Sequence, residues 1–339
     1  MHVAIEHRTL HLRAPIVTSY APPLSSRELF ELVIEGADGV PGRGESAPLA
    51  PYDGVSPARA RAALDAYRSV LEDGDGLEDG ELLDACRAAD PLPQALAAVD
   101  LALWDRAGRR VGLPVAALLA DAALDAVAVN ATIGASDRAG AAASAAAARA
   151  AGFRCVKVKV GVGDDAGRVA AVRAALGPRV ALRLDANGAW TVEEAVRAIE
   201  ALAPAGLELV EEPVHGIAAL RAVRERVAVR LAMDETAAEP GALASGAADA
   251  VCLKLGRCGG ISGLLASAAL VRASGAEPYV ASTFDGPLGI AAALHAAAAL
   301  RLDPACGLAT LELFEDAGEH GLEARDGFIA VPREPGLMR

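Results

Sequence analysis

From Pro114 onward the chain repeats one grammar: a short β-branched run that ends on a polar or charged residue, then an alanine-rich run of helical period. The candidate strands are AVAVNATIG, RCVKVKVG, VALRLDANG, LELVEEP, VRLAMDE, DAVCLKLG, EPYVAST and GLATLEL. Between them lie candidate helices such as DRAGAAASAAAARAAG, DAGRVAAVRAAL, TVEEAVRAIEALAPA and GISGLLASAALVRASG. Strand and helix alternating about eight times predict a parallel sheet with helices outside, and eight such units close into a barrel. The intervals 185–211, 211–234 and 234–254 are each about one strand–helix unit long.

The earlier part of the chain reads differently. HVAIEHRTLHLR and RELFELVIEGADG are strand-like and flank a flexible Pro/Ser stretch at residues 19–26. From Ser56 the pattern turns helical, in SPARARAALDAYRSVLE and then PLPQALAAVDLALWDRAGRR. After Leu313 helical period is lost, and the tail is expected to run back toward the N-terminal part. The expected class is α/β: an α+β domain over residues 1–115, a (β/α) barrel of the modified TIM type over 116–315, and a returning C-terminal segment over 316–339.

Composition narrows the environment. An apolar share of 53% and a mean hydropathy of +0.31 would suit a membrane protein. The excess is alanine in runs such as IAAALHAAAAL, which favours helix without making a greasy span, and no stretch of about 18 strongly apolar residues runs free of charge, Pro or Gly. The opening MHVAIEHRTLHLR carries charges throughout and no apolar signal core, so a cytoplasmic protein is expected. A net charge of −13 offers no basic stripe for phosphates, which argues against a nucleic-acid partner. Five scattered cysteines without a CxxC pair argue against a zinc site or a disulfide framework.

The charges inside the repeats carry the chemistry. Lys157 and Lys159 lie in RCVKVKVG, Asp185 in LRLDANG, Glu211 in LVEEP, Asp234 in LAMDE and Lys254 in CLKLG. Each sits at the C-terminal end of an apolar strand, where barrel enzymes place their sites. One acid at a strand end is explained by helix capping. Three in succession, framed by lysines on earlier and later strands, are not. Burying three carboxylates together is costly unless a cation compensates, and oxygen ligands suit a hard divalent ion, Mg²⁺ or alternatively Mn²⁺. The alternation in KVKV puts Lys157 and Lys159 on one face of their strand, the barrel interior, where an unpaired ammonium is expensive.

The motifs KVKVG, DANGAW, EEP, MDE and KLGRCGG stand in the order and spacing of the enolase superfamily, and the chain resembles its muconate lactonizing enzyme subgroup over essentially its whole length. The resemblance implies that Asp185, Glu211 and Asp234 bind Mg²⁺, that Lys159 is a base, and that Lys254 faces it across a small-molecule carboxylate substrate. It makes the first domain a capping domain whose loops, residues 19–26 and 47–54, select the substrate, and it implies a homo-oligomer. The implied chemistry is removal of a proton next to a carboxylate through an enediolate, with the cation stabilising the charge that develops. Lys159 must shed its own proton to act as base, which the neighbouring Lys157 cation and the metal would favour.

Departures from the family pattern sort its members. The seventh strand, EPYVASTFDG, lacks the histidine of the mandelate racemase branch, and His295 falls in an Ala-rich helix. His215, after EEP, is expected at the surface, and Glu212 is expected to support the site rather than to bind metal. The eighth segment, ATLELFEDAG, lacks the Asp-x-Asp usual in dipeptide epimerases. P-loop and dinucleotide fingerprints are absent, and the glycines of KVGVGDDAG read as a turn. The resemblance of LRAPIVTSY, RELFELVIEG, GRGESAPL and CLKLGRCGG favours o-succinylbenzoate synthase. The alternatives are N-acylamino acid racemase or dipeptide epimerase, then muconate cycloisomerase, and, in another class, a non-catalytic barrel.

Overall fold

The computed structural model describes residues 1–16, 23–134 and 136–339. Residues 19–22 of the 19–26 stretch therefore lie outside the described residues. The chain opens with a three-stranded antiparallel sheet, β1 (His2–Ile16), β2 (Leu24–Glu35) and β3 (Pro41–Ser46), in that order. The helices Pro57–Asp73 and Pro93–Val111 pack against it, and the helix Asp79–Ala89 packs on those two. Val3, Phe30, Leu32 and Ile34 of the sheet meet Leu64, Tyr67, Leu71, Leu82, Cys86 and Val99 of the helices in one apolar core. The helix starts follow local chemistry: Pro57 follows Ser56, whose hydroxyl accepts from Arg59 N. Sequence patterning overlooked β3 and the helix Asp79–Ala89. In PGRGES the residues facing the helix Pro93–Val111 are glycines, so no apolar alternation marks the strand.

The second part is a curled parallel sheet with helices outside. Its strands are β5 (Ala131–Ile133), β6 (Cys155–Lys159), β7 (Ala181–Asp185), β8 (Leu209–Glu211), β9 (Leu231–Met233), β10 (Ala250–Leu253) and β11 (Glu277–Val280), hydrogen-bonded in sequence order. The expected first strand, AVAVNATIG, is divided. Its first half, β4 (Ala126–Ala128), pairs antiparallel with β12 (Phe328–Ala330) in the tail, and only its second half joins the ring.

The eighth expected strand, GLATLEL, is not a strand. Cys306 and Gly307 make single parallel bridges to Val129 and to Ala281, which join the two ends of the sheet. The chain then turns, with Thr310 N donating to Leu308 O at 2.9 Å, and residues Leu311–Leu313 form a 3-10 turn. Those two bridges close the ring at this point, and below the site the interior is occupied by Arg183. Arg183 on β7, buried to 1% exposure, donates to Glu208 at 2.7 Å and to Ala305 O at 2.7 Å, and its guanidinium lies over the Tyr279 ring.

The tail makes contact at three levels. Phe314 bridges Leu12 on β1, β12 pairs with β4, and Leu337 N donates to Asp105 Oδ1 in the helix Pro93–Val111 at 2.7 Å. No helix among the described residues is long and apolar enough to cross a membrane, and all five cysteines are free thiols.

Candidate active site

Strand register gathers the charged residues. Lys159 pairs with Asp185, Asp185 with Glu211 and Glu211 with Ala232, so the row passes around the barrel mouth and reaches Asp234 just beyond the end of β9. Because side chains alternate along a strand, Lys157 points inward one step deeper. Lys254 follows β10 directly.

All six residues singled out in the sequence converge. Lys157 Nζ lies 2.8 Å from Asp185 Oδ2 and 2.9 Å from Glu211 Oε1. Lys159 Nζ lies 2.6 Å from Asp185 Oδ2, and Lys254 Nζ 3.1 Å from Asp234 Oδ2. Three ammonium groups thus balance three buried carboxylates. That balance is necessary here, because a lone buried charge costs several kcal/mol.

The electrostatics of each group follow from its neighbours. Burial works against the Lys157 ammonium, but Asp185 and Glu211 outweigh it and raise its pKa. Burial likewise works against the Asp185 carboxylate, and Lys157 with Lys159 overcome it, holding Asp185 far below the usual range. Glu211 shifts the other way: its burial, then the charge of Asp185, push it up. Asp234 is lowered, since Lys254 and Lys157 together outweigh its burial.

Several contributors were missed in the sequence. Tyr52, from the cap loop 47–54, donates from its hydroxyl to Asp234 Oδ1 at 2.6 Å and accepts from Arg257 Nη1 at 2.7 Å. Burial, and then Asp234, raise the Tyr52 pKa, so it stays a neutral donor. Lys254 Nζ and the Arg257 guanidinium both lie over its ring, at 5.4 Å and 5.2 Å. Tyr279 on β11 donates to Glu211 Oε2 at 2.8 Å. Asn187 joins Lys159 Nζ at 2.7 Å to Glu235 Oε1 at 2.9 Å. Asn187 and Arg257 were in view inside the motifs DANGAW and KLGRCGG. Tyr52 carried no signal beyond its loop.

Glu212 and His215 take definite places. Glu212 is fully buried and turned inward by a positive φ of 39°. It accepts from Asp234 N at 2.7 Å, from Thr236 N at 3.0 Å and from the Thr236 hydroxyl, so its oxygens support the loop after β9. His215 is half-exposed, as expected of a surface residue, yet its Nδ1 lies 3.0 Å from Glu212 Oε1 and its pKa is raised by that bond. It also lines a cavity of about 320 Å³ with Tyr52, Asn187, Glu235 and Thr236. The imidazole lies against Gly188, where a Cβ would come within 2.1 Å of it. His295 lies far from this cluster, in the helix Pro287–Ala299.

The donor set fits a hard divalent cation. Oxygen atoms of Glu211 and Asp234 lie within 4.8 Å of one another and of the Cys252 sulfur. Cys252 is a soft donor whose thiol burial keeps protonated, so the carboxylates are the ligands of suitable chemistry. Asp185 is not in that tight group, because its Oδ2 faces both Lys157 and Lys159. It adjoins Glu211 in register and shares Lys157 with it.

Comparison with known proteins agrees with this architecture. Residues 1–120 match the family model described as mandelate racemase / muconate lactonizing enzyme, N-terminal domain, and residues 140–337 match the model described as enolase C-terminal domain-like. An L-Ala-D/L-Glu epimerase of Bacillus subtilis is 33% identical over 295 residues, covering 84% of this chain and 77% of the relative. An o-succinylbenzoate synthase of Mycobacterium tuberculosis is 45% identical over 221 residues, covering 62% of this chain and 65% of the synthase, just under two thirds of its length. The solved structure of the Bacillus subtilis epimerase in a substrate-liganded complex superposes with a TM-score of 0.92 at 29% identity, covering 100% of this chain and 98% of that one. A dipeptide epimerase of Enterococcus faecalis, solved with Mg and the dipeptide L-Leu-L-Tyr, superposes at 0.91 with 29% identity over 99% of this chain and 98% of the other.

Proposed function

Since this chain belongs to the enolase superfamily, in the muconate lactonizing enzyme subgroup, and is one of its enzymes, we propose that it is an o-succinylbenzoate synthase acting on a small carboxylate. The observation that carries this choice is the 45% identity to the mycobacterial synthase, against 33% to the epimerase. In this reading residues 1–115 cap a catalytic barrel at 116–315, and 316–339 tie the two together. Asp185, Glu211 and Asp234 would hold Mg²⁺. When bound there, the cation supplies the positive charge that stabilises an enediolate.

The chain's own residues do the rest. Lys159, on β6, takes the proton next to the substrate carboxylate and returns it to the departing hydroxyl. Asn187 fixes the Lys159 Nζ at 2.7 Å, so the base is aimed before substrate arrives. Lys254, directly after β10 and paired with Asp234, stands as a fixed cation beside the developing negative charge. Lys157 remains paired with Glu211 and supports the acids from below.

A second reading is favoured by a separate observation: the match to the epimerase structure covers this whole chain, and two lysines, Lys159 on β6 and Lys254 just after β10, each pair with an acid of the row. Racemisation of an N-acylamino acid or epimerisation of a dipeptide needs two such groups, one to remove the proton and one to replace it from the opposite face. The test is purified protein with Mg²⁺ and 2-succinyl-6-hydroxy-2,4-cyclohexadiene-1-carboxylate, following loss of the diene absorbance, with Lys159→Ala as control. Fast, lysine-dependent conversion is expected. Absence of conversion refutes the synthase reading, and deuterium exchange at the α-carbon of N-acylamino acids and dipeptides then tests the second.

A further inference from the structure

Arg27 on β2 is a buried cation, 3% exposed, whose hydrogen bonds among the described residues all go to backbone carbonyls. Its Nη1 donates to Pro48 O at 2.6 Å and its Nη2 to Ala47 O at 3.0 Å. Both carbonyls stand at the root of the cap loop that ends on Tyr52. Its Nε donates to Phe284 O at 3.3 Å, in the barrel loop that follows β11. One rigid guanidinium therefore spans the two loops that approach the acids from the cap side and the barrel side. Arginine suits this, because its planar fork presents donors in fixed directions.

Glu45 on β3 makes a second tie at the same place. Its Oε1 accepts from Gly286 N at 2.7 Å, at the start of the helix Pro287–Ala299. A Cβ at Gly286 or at Gly289 would come within 2.4 Å or 2.6 Å of the Glu45 oxygens, so this approach needs glycine at both positions. Just before Gly286 the loop carries Phe284 at a φ of 59°, a conformation costly for an aromatic residue, held by the Ser282 hydroxyl accepting from Phe284 N at 2.8 Å. From Pro48 the path to the acids is short: the Asp53 carboxylate accepts from Leu49 N at 3.2 Å and from Val55 N at 2.9 Å, which folds the loop into one turn, and Tyr52 in that turn reaches Asp234.

We infer that Arg27 and Glu45 form a clasp that fixes the Tyr52 loop and the β11 loop together over the acid row, and that Arg27 is a positioning residue for the reaction at that site. The kinetic part of this inference rests on the proton-transfer reading given above; the structural part does not. Nothing in the clasp touches the six charged residues directly. Its effect passes through Tyr52 on one side and through residues 282–286 on the other.

The experiment compares Arg27→Lys, Arg27→Met, Tyr52→Phe and the double variant Arg27→Met/Tyr52→Phe in the full chain, by hydrogen exchange and by steady-state kinetics. Lysine keeps the charge but reaches one carbonyl rather than three, and it stands in for methionine if that variant does not fold. Exchange is expected to rise in residues 47–54 and 282–286 together, roughly tenfold, with the barrel helices unchanged. Loss of Arg27 is expected to lower kcat roughly tenfold with little change in KM, as for a misplaced group that acts on the reacting state. In the Tyr52→Phe background the further fall should be under about threefold, because part of the same path is already broken. Multiplicative kinetic effects, or loosening of one loop without the other, would overturn the clasp. If the protein turns over none of the substrates, the proton-transfer reading fails and the paired exchange response alone decides the clasp.

Discussion

His295 offers a pH test whose size can be worked from its surroundings. The side chain is fully buried in the helix Pro287–Ala299, with Nδ1 accepting from Ala116 N at 3.1 Å and Nε2 donating to Leu337 O at 2.7 Å. Those two bonds specify the neutral imidazole carrying its proton on Nε2. Burial disfavours the cation and lowers the pKa to about 4 from an ordinary 6.5. The unfolded chain thus takes up a proton as pH falls through 6.5, while the folded chain resists until about 4. The contribution of His295 is therefore complete above pH 6.5 and is lost as pH falls toward 4. A gap of 2.5 units (6.5 − 4) at about 1.4 kcal/mol per unit gives about 3 kcal/mol. His295→Gln keeps one acceptor and one donor without a titrating ring. Urea unfolding of both proteins from pH 7.5 to 4 should show the wild type losing about 3 kcal/mol more than the variant. Curves that run parallel to within about 1 kcal/mol would refute the argument, since they would mean that the imidazole gains a proton in the folded state at little cost.

Three further outcomes test other parts of the molecule. Glu45, pushed up to about 8 by burial and then by Asp285, binds a proton in the folded state where the unfolded chain does not; stability should fall as pH rises from about 4.5 to 8, by about 5 kcal/mol, and Glu45→Gln should flatten that slope in the same unfolding assay. Asp234→Asn should abolish stabilisation by Mg²⁺ in thermal melts, where the wild type at metal a hundredfold above Kd gains about 2.7 kcal/mol. Lys157→Met should destabilise the protein by about 3–5 kcal/mol, because it strips the counter-charge from Asp185 and Glu211, and Mg²⁺ should recover a larger share of stability in this variant than in the wild type.

How much of this was legible in the sequence depends on the range of each interaction. The strands that carry Lys157, Lys159, Asp185 and Glu211, and the one that leads into Lys254, declare themselves as short β-branched runs with a polar end set between helical runs, and the alternation in KVKV places its two lysines on one face. The acid row therefore needed no knowledge of anything beyond neighbouring repeats. The ring closure did not follow, because GLATLEL has the composition of a strand while the barrel closes there through two single bridges. Tyr52 and Arg27 were illegible for a different reason. Tyr52 meets Asp234 across 182 positions, and Arg27 meets Phe284 across 257. No local period encodes a contact between a cap loop and a barrel loop, since the pairing depends on how two separately folded layers dock. In the proposed function, those contacts would bear on where a substrate's distal group can lie, while the acids and lysines would serve the movement of a proton next to a carboxylate. On that proposal the chemistry is written in short-range pattern and the choice among dehydration, racemisation and epimerisation in long-range docking, and substitutions in the clasp and its loops, rather than at the lysines, are expected to exchange one outcome for another.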